Sequence, residues 1–331
     1  MRRPSAAFEN PTASEGGREL PHSKTLSRRS FLKASARLSV LLGLGASAVP
    51  RIAQALDELA QGLAPVLWLQ GQCCSGCSIS LLDSEAVTPF KLLTRYISLG
   101  FHQTLSAATG AQAVEVVNKI VSQNGYVLIV EGAVPVGMPL ACAFGEEAFA
   151  EQLVRAASKA KIILTAGSCA AYGGVPAAEH NPTGAVSVPA FLKNRGLDAP
   201  VIRVPGCPIH PDWLVGTVVH ALKFGLPPMD GLGRPLAFFS RAMHEHCPRF
   251  NDYERENFAR TYGEDGCFFK LGCAGPITHT DCNLRGWNGG VNSCIRAGAP
   301  CIGCGGENFA AKADYPLITK ERASQNKKTE A

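Results

Sequence analysis

From residue 65 onward the chain repeats one pattern: a short apolar run of strand length, a Gly- and Pro-rich loop, then helical spacing. Residues 66–69 (VLWL) are apolar without alternation, which predicts a strand buried on both faces. They run into Gly71-Gln72-Cys73-Cys74-Ser75-Gly76-Cys77, and residues 79–82 begin a helix. Residues 127–130 form a second such run, ending in Glu131-Gly132-Ala133-Val134-Pro135. Over residues 146–161, Phe149, Leu153 and Ala157 recur at helical spacing and predict one apolar face. Residues 162–165 are the third run, ending in Gly167-Ser168-Cys169. Residues 201–204 are the fourth, ending in Pro205-Gly206-Cys207-Pro208, and the spacing predicts a helix over 211–224.

Strands alternating with helices predict the α/β class: a parallel sheet covered on both faces, of flavodoxin-like type, over residues 65–235. In such sheets ligand sites form in the crevice at the carboxyl ends of the strands. Cys74 with Cys77, Cys169 and Cys207 each follow a predicted strand end, so four thiols distant in sequence are expected to converge. A single buried Cys is usually a small packing residue. Three strand ends carrying Cys in Gly/Pro loops argue instead for a shared ligand, and a four-iron cubane takes four thiolates.

Regular periodicity fades after residue 235. His244-Glu245-His246-Cys247 comes next, followed by Cys267, Cys273, Cys282, Cys294, Cys301 and Cys304 among many glycines. No ordinary strand or helix survives that composition, whereas glycine lets backbone wrap closely around a compact group bound by thiolates. On its own, Cys301-x-x-Cys304 fits zinc, a redox pair or iron–sulfur. Lacking a periodic core, residues 236–318 are expected to be a mostly irregular domain held largely by its metal sites.

An apolar fraction of 46% against 18% charged residues marks a globular chain with a large core, and 331 residues suffice for two domains. The formal charge of +5 belongs to residues 1–49, which hold eight Lys or Arg and three Asp or Glu. The remainder carries 24 of each sign, so there is no overall basic footprint for nucleic acid. Ser27-Arg28-Arg29-Ser30-Phe31-Leu32-Lys33 precedes an apolar run from Leu38 to Val49, with small residues at Ala46 and Ala48. That is the pattern of a twin-arginine export signal. The run is about half of the ~20 residues that a membrane-spanning helix needs. Residues 1–49 are therefore expected to direct export to the periplasm, 50–64 to be a linker, and the polar tail 319–331 to be disordered. An exported chain with thirteen cysteines ordinarily indicates disulfides. The odd count, the tight CxxC pairs and export in a folded state argue against a disulfide framework here.

Together these motifs resemble the small, iron–sulfur subunit of periplasmic nickel–iron hydrogenases, most of all the nickel–iron–selenium branch. The resemblance runs from Val66 to Phe309. It comprises CSGCS at 74–78, VEGAVP at 130–135, GSCAAYGG at 167–174, PGCPIHPDW at 205–213 and HEHC at 244–247. It continues with LGCAGP at 271–276, the DC pair at 281–282, RGWNGG at 285–290 and PCIGC at 300–304. Each motif is weak alone; their order is specific.

By this resemblance, Cys74, Cys77, Cys169 and Cys207 match the ligands of a proximal 4Fe-4S cluster. His244, Cys247, Cys267 and Cys273 match a distal 4Fe-4S cluster, with His246 a competitor that the H-x-x-C pattern disfavours. Cys282, Cys301 and Cys304 match the medial cluster. Many relatives have a 3Fe-4S medial cluster and proline where this chain has Cys294, so a 4Fe-4S medial cluster is expected, with Cys294 as its fourth ligand. Cys73 stands where many relatives carry glutamate; a bystander thiol is the favoured reading, an alternative proximal ligand the sharper one. The places of two further cysteines that oxygen-tolerant relatives use near the proximal cluster are Gly76 and Ala177 here, so that protection is absent. Cys142 is read as structural, and His180, His210, His220 and His279 as packing or polar residues. Glu131 reads equally as a strand-terminal cap or as a face toward the partner.

What the resemblance implies is reversible oxidation of dihydrogen in a heterodimer. The nickel–iron centre lies on a large subunit, and this chain carries electrons to an acceptor such as a c-type cytochrome. No residue of this chain is expected to be catalytic. The C-terminal anchor helix of the family's quinone-coupled members is not matched. The competing readings are an exported iron–sulfur carrier without a hydrogenase partner and a zinc or disulfide scaffold. The medial assignment has a direct check: Cys294→Pro in the assembled enzyme should produce a 3Fe-4S EPR signal on oxidation. Its absence would remove Cys294 from the ligand set.

Overall fold

A computed structural model describes residues 64–310 apart from residue 86, with isolated positions between 33 and 50. The twin-arginine motif, the interior of the linker and the tail beyond residue 310 lie outside the described residues. Five parallel strands form one sheet: β1 (Ala64–Gln70), β2 (Ile97–His102), β3 (Val127–Glu131), β4 (Ile162–Ala166) and β5 (Val201–Val204). Their spatial order is β2-β1-β3-β4-β5, the doubly wound order of flavodoxin-like folds, so the expected α/β class is the observed one.

Six helices matter for the site. These are α1 (Gly76–Leu82), α2 (Gly110–Gln123), α3 (Phe149–Ala157), α4 (Ser168–Tyr172), α5 (Val188–Asn194) and α6 (Pro211–Phe224). Strand side chains alternate between two cores, as the two-residue period requires. Val66, Trp68, Ile129, Leu164 and Val204 pack with Trp213, Leu214 and Val218 of α6. Leu67, Leu69, Leu128, Val130 and Ile163 pack on the other face with α2, α3 and α5. Both faces are covered, which is why β1, β3 and β4 read as nearly unbroken apolar runs, while the edge strand β5 admits Arg203.

Where the sequence pattern and the fold differ, local geometry explains it. The helix expected over 146–161 begins only at Phe149, because Glu147–Ala148 pairs with Ala143–Phe144 in a two-residue antiparallel ladder around Gly145. It ends at Ala157, and Lys161 N–H then donates to Tyr126 O at 2.9 Å as the chain turns into β4. The apolar pattern does not announce β2, α2 or α5. α2 buries Ala113, Val117 and Val121 at four-residue spacing, and β2 is an edge strand interrupted by Gly100. A Cβ at Gly100 would lie 2.7 Å from Ile120 of α2, so the glycine permits the helix to approach.

Beyond residue 235 the described chain has only short helical turns, none longer than the five residues Phe250–Glu254. A small core of Met243, Ala259, Phe268, Ile295 and Cys301 centres this part. It is tied to α6 by polar bonds. Trp213 Nε1 donates to Asp281 at 2.6 Å, and Arg285 bridges Asp281 and Asp212. His210, whose Nδ1 accepts from Asp212 N–H, donates through Nε2 to Gly286 O at 2.6 Å.

Leu153 is fully buried at the centre of the α3 face. Leu153→Ala should therefore cost about 2–5 kcal/mol, seen as a lower urea midpoint at unchanged slope. A loss below about 1 kcal/mol would mean that this face is not packed as described.

Candidate metal centres

The register places the strand ends level. Gln70 is opposite Glu131, Glu131 opposite Ala166, and Ala166 opposite Val204. The segments that follow β1, β4 and β5 therefore leave the sheet at one level: Cys74 and Cys207 lie in loops, Cys77 in the first turn of α1 and Cys169 in the first turn of α4. The four thiols act on one another electrostatically. Burial pushes Cys169 up to about 12, and thiolate charge at Cys207 and Cys74 pushes the same way. Cys77 is also held well above the ordinary thiol value, by burial first and then by Glu131, Cys169 and Cys207.

Glycines back directly onto these sulfurs. Gly174 has φ +51°, and a Cβ there would sit 2.8 Å from Cys169 N and 3.1 Å from its Sγ. A Cβ on Gly167 would strike Cys77 Sγ.

Behind Cys77 lies a buried polar network that the sequence only half discloses. Glu131 is 1% exposed and accepts from five donors. Its Oε1 takes the N–H groups of Cys77 at 3.0 Å and Ser78 at 3.3 Å. Its Oε2 takes Ser78 Oγ, Gln70 Nε2 at 3.1 Å and Trp68 Nε1 at 3.3 Å. Of the two readings of Glu131 the cap is the observed one, made across the crevice from β3 to the first turn of α1. His102 completes the network. Its Nδ1 accepts from Thr104 N–H at 3.0 Å, so Nε2 carries the proton and donates to Ser78 Oγ at 3.1 Å. No signal in the sequence marks His102, because the pattern does not announce its strand.

A second cavity, of about 350 Å³ and mostly apolar, is ringed by Cys282, Cys294, Cys301 and Cys304. Cys207 of the first group lines it too. Cys294 is the most open of the ring, and burial pushes Cys304 up to about 12. A third, small pocket is lined by His244, Cys247, Cys267 and Cys273 together with Arg249, Phe268 and Phe269. His246 is not among its lining residues. Burial lowers the pKa of His244, which favours the neutral imidazole that binds metal.

One backbone device recurs. The N–H two residues ahead points back at the thiol in Cys247, Cys267, Cys273 and Cys301, from Arg249, Phe269, Gly275 and Gly303. Such donors stabilise a thiolate and the charge on a cluster it holds. Cys73 is half-buried and accepts from Ser75 N–H, and burial pushes it up to about 11. Cys142 lies 4.0 Å from Gln70 O, away from all three groups. All thirteen thiols are unpaired, and among the described residues no three ligand-type side chains close on a single metal ion. Thiols ringing cavities, glycines against sulfur and inward N–H groups fit a polynuclear cluster.

Residues 239–316 match the family of the C-terminal region of NiFe/NiFeSe hydrogenase small subunits, and residues 74–221 match that of the NADH ubiquinone oxidoreductase 20 Kd subunit. The periplasmic [NiFeSe] hydrogenase small subunit of Desulfomicrobium baculatum is 41% identical over 85% of this chain and 95% of its own. The chain belongs to the small subunits of nickel–iron and nickel–iron–selenium hydrogenases. The uptake hydrogenase small subunit of Cupriavidus necator is 36% identical over 90% of this chain and 83% of its own. The reduced, active Ni-Fe-Se hydrogenase of Desulfomicrobium baculatum superposes with a TM-score of 0.74 at 40% identity, over 78% of this chain and 99% of that one. Hydrogenases are oxidoreductases that work as complexes, so a small subunit has a large-subunit partner. No described helix is long and apolar enough to cross a membrane.

His102 gives the site a pH signature. Burial lowers its pKa in the folded chain against the opposing pull of Glu131. The unfolded chain then takes up the proton first, so the contribution present above about pH 6.5 is lost as pH falls below it. His102→Gln can still donate to Ser78 and should flatten the fall in urea midpoint between about pH 7.5 and 5.5. An unchanged slope would assign the acid sensitivity elsewhere.

Proposed function

We propose that this small subunit relays electrons between the hydrogen-oxidising nickel–iron centre of its large subunit and an external acceptor. Three 4Fe-4S clusters form the path. Cys74, Cys77, Cys169 and Cys207 hold the proximal one, and Cys282, Cys294, Cys301 and Cys304 the medial one. His244, Cys247, Cys267 and Cys273 hold the distal one. One observation carries the reading: the three ligand groups lie in file and touch. Cys207 of the first lines the cavity of the second, and Cys301 N–H of the second donates to Cys273 Sγ of the third at 3.4 Å.

When bound, each cluster supplies a one-electron carrier. The chain's own residues do the rest. Strand-end loops fix the first set of thiols on a rigid sheet. Phe268 and Phe269 help keep water from the third. Inward N–H groups favour added negative charge and so raise the reduction potential, while burial of charge opposes it. At the distal site an imidazole replaces a thiolate and removes one negative charge next to the exit.

The acceptor supported by export to the periplasm is a soluble c-type cytochrome. Residues 65–235 and 236–318 act as the two domains of this relay, and residues 1–49 direct twin-arginine export of the folded complex. The fold of this chain and its relatedness to hydrogenases support the relay over an unpartnered carrier.

Metal and sulfide analysis with EPR on a complex purified through this chain tests the reading. About thirteen irons per complex, twelve in this chain and one in the nickel–iron centre, with a nickel-containing partner and no oxidised 3Fe-4S signal, are expected. About twelve irons per complex with that signal would keep the relay and remove the fourth medial thiolate. Zinc in place of iron, or no metal, would sink the relay.

A further inference from the structure

Hydrogen bonds from backbone and side chains join the three groups at two junctions. Between the second and third groups, Cys301 N–H donates to Cys273 Sγ at 3.4 Å, and Ala274 N–H donates to Cys301 O at 2.8 Å. A side chain adds to that junction: the Asn283 amide, beside Cys282, donates to the Met243 carbonyl, beside His244, at 3.4 Å. Between the first and second, Cys207 N–H donates to Cys304 Sγ, and a side chain supplies the second tie.

That side chain is Ser168, 1% exposed and next to Cys169. Its Oγ accepts from Gly206 N–H at 2.9 Å and donates to the carbonyl of Cys304. Its own N–H donates to Gly206 O at 2.9 Å. Ser168 is the first residue of α4, one past the N-cap Gly167, so its hydroxyl has no capping role there. Both its donor and its acceptor go to other chain segments. The hydroxyl thus joins the residue before Cys169, the residue before Cys207, and Cys304 itself. Remove it, and a buried N–H and a buried carbonyl lose their partner, which forces loops on both sides of the junction to readjust.

We propose that Ser168 is a positioning residue: it sets the separation of the proximal and medial groups, and thereby the rate of electron passage between them. This rests on the relay described above. In the step concerned, one electron leaves the reduced proximal group and reduces the oxidised medial group. No bond forms or breaks and no proton moves, so the first gains one positive charge as the second loses one. Electron coupling decays steeply with distance and more steeply across a gap than along bonded atoms, so a small displacement at this junction costs rate.

The experiment compares Ser168→Ala and Ser168→Thr in the assembled complex with wild type. Ser168→Ala is expected to keep its iron and the isotope exchange of dihydrogen, which needs no electron transfer. It should lose about tenfold in the rate at which dihydrogen reduces the medial cluster, because supporting contacts hold functional groups to fractions of an ångström. The proximal–medial magnetic interaction in the EPR spectrum should weaken with it. Ser168→Thr keeps the hydroxyl and should restore both to within about twofold. Wild-type rate and interaction in Ser168→Ala, with only a lower unfolding midpoint, would reduce the residue to a structural one and overturn the proposal. If Ser168→Ala fails to assemble, Ser168→Cys, with a weaker donor on a longer bond, should give an intermediate rate, and a wild-type rate there overturns it equally. Absence of the proximal or medial cluster from wild type would instead overturn the relay itself.

Discussion

Everything at the first site depends on a register. Because β1, β3, β4 and β5 pair so that Gln70, Glu131, Ala166 and Val204 stand abreast, four thiols spread over more than a hundred positions leave the sheet at one level. A parallel sheet can impose this because its strands run the same way and carry their loops on the same edge. The cost is burial on both faces, which the unbroken apolar runs meet. The rigid sheet is what lets short Gly- and Pro-rich loops and the first turns of α1 and α4 hold the ligands in place.

Thiols in such a place resist ionisation. Burial pushes Cys169 and Cys304 up to about 12 and Cys282 to about 11, so metal binding must release their protons at neutral pH. The backbone N–H groups aimed at sulfur offset part of that cost in the bound state. Glu131 would add a further negative charge beside Cys77, and it is tolerated because five donors surround it. The C-terminal part gains rigidity from α6 through Trp213, His210 and Arg285, and from the small core around Met243 and Phe268.

The sheet's three inner strands, edge strand β5 and α6 are legible in the sequence because burial leaves a simple mark: runs rich in Val, Ile and Leu. β2 is not, although Ile97, Leu99 and Phe101 alternate with polar or small residues, because Gly100 breaks the run and His102 is buried where the alternation calls for exposure. The ligand types and their order are legible because Cys in Gly-rich loops has few alternative uses. What cannot be read is the wiring between sites. Ser168 looks in sequence like one more small residue beside a cysteine. Its two bonds link segments more than thirty and more than a hundred positions away, and such links exist only once the loops are folded. Cys73 accepts from Ser75 within its own loop and also acts electrostatically on Cys169 of the first group.

The central claim is that three iron sites lie in file along this chain, from the strand ends outward. Anomalous diffraction at the iron edge, from crystals of the complex with its large subunit, tests it most directly. The account predicts three separate iron peaks in this chain. The first lies among Cys74, Cys77, Cys169 and Cys207, the second is ringed by Cys282, Cys294, Cys301 and Cys304, and the third is bound by His244 with three thiolates. A missing peak, an iron held by other side chains, or a signal only at the zinc edge would contradict it.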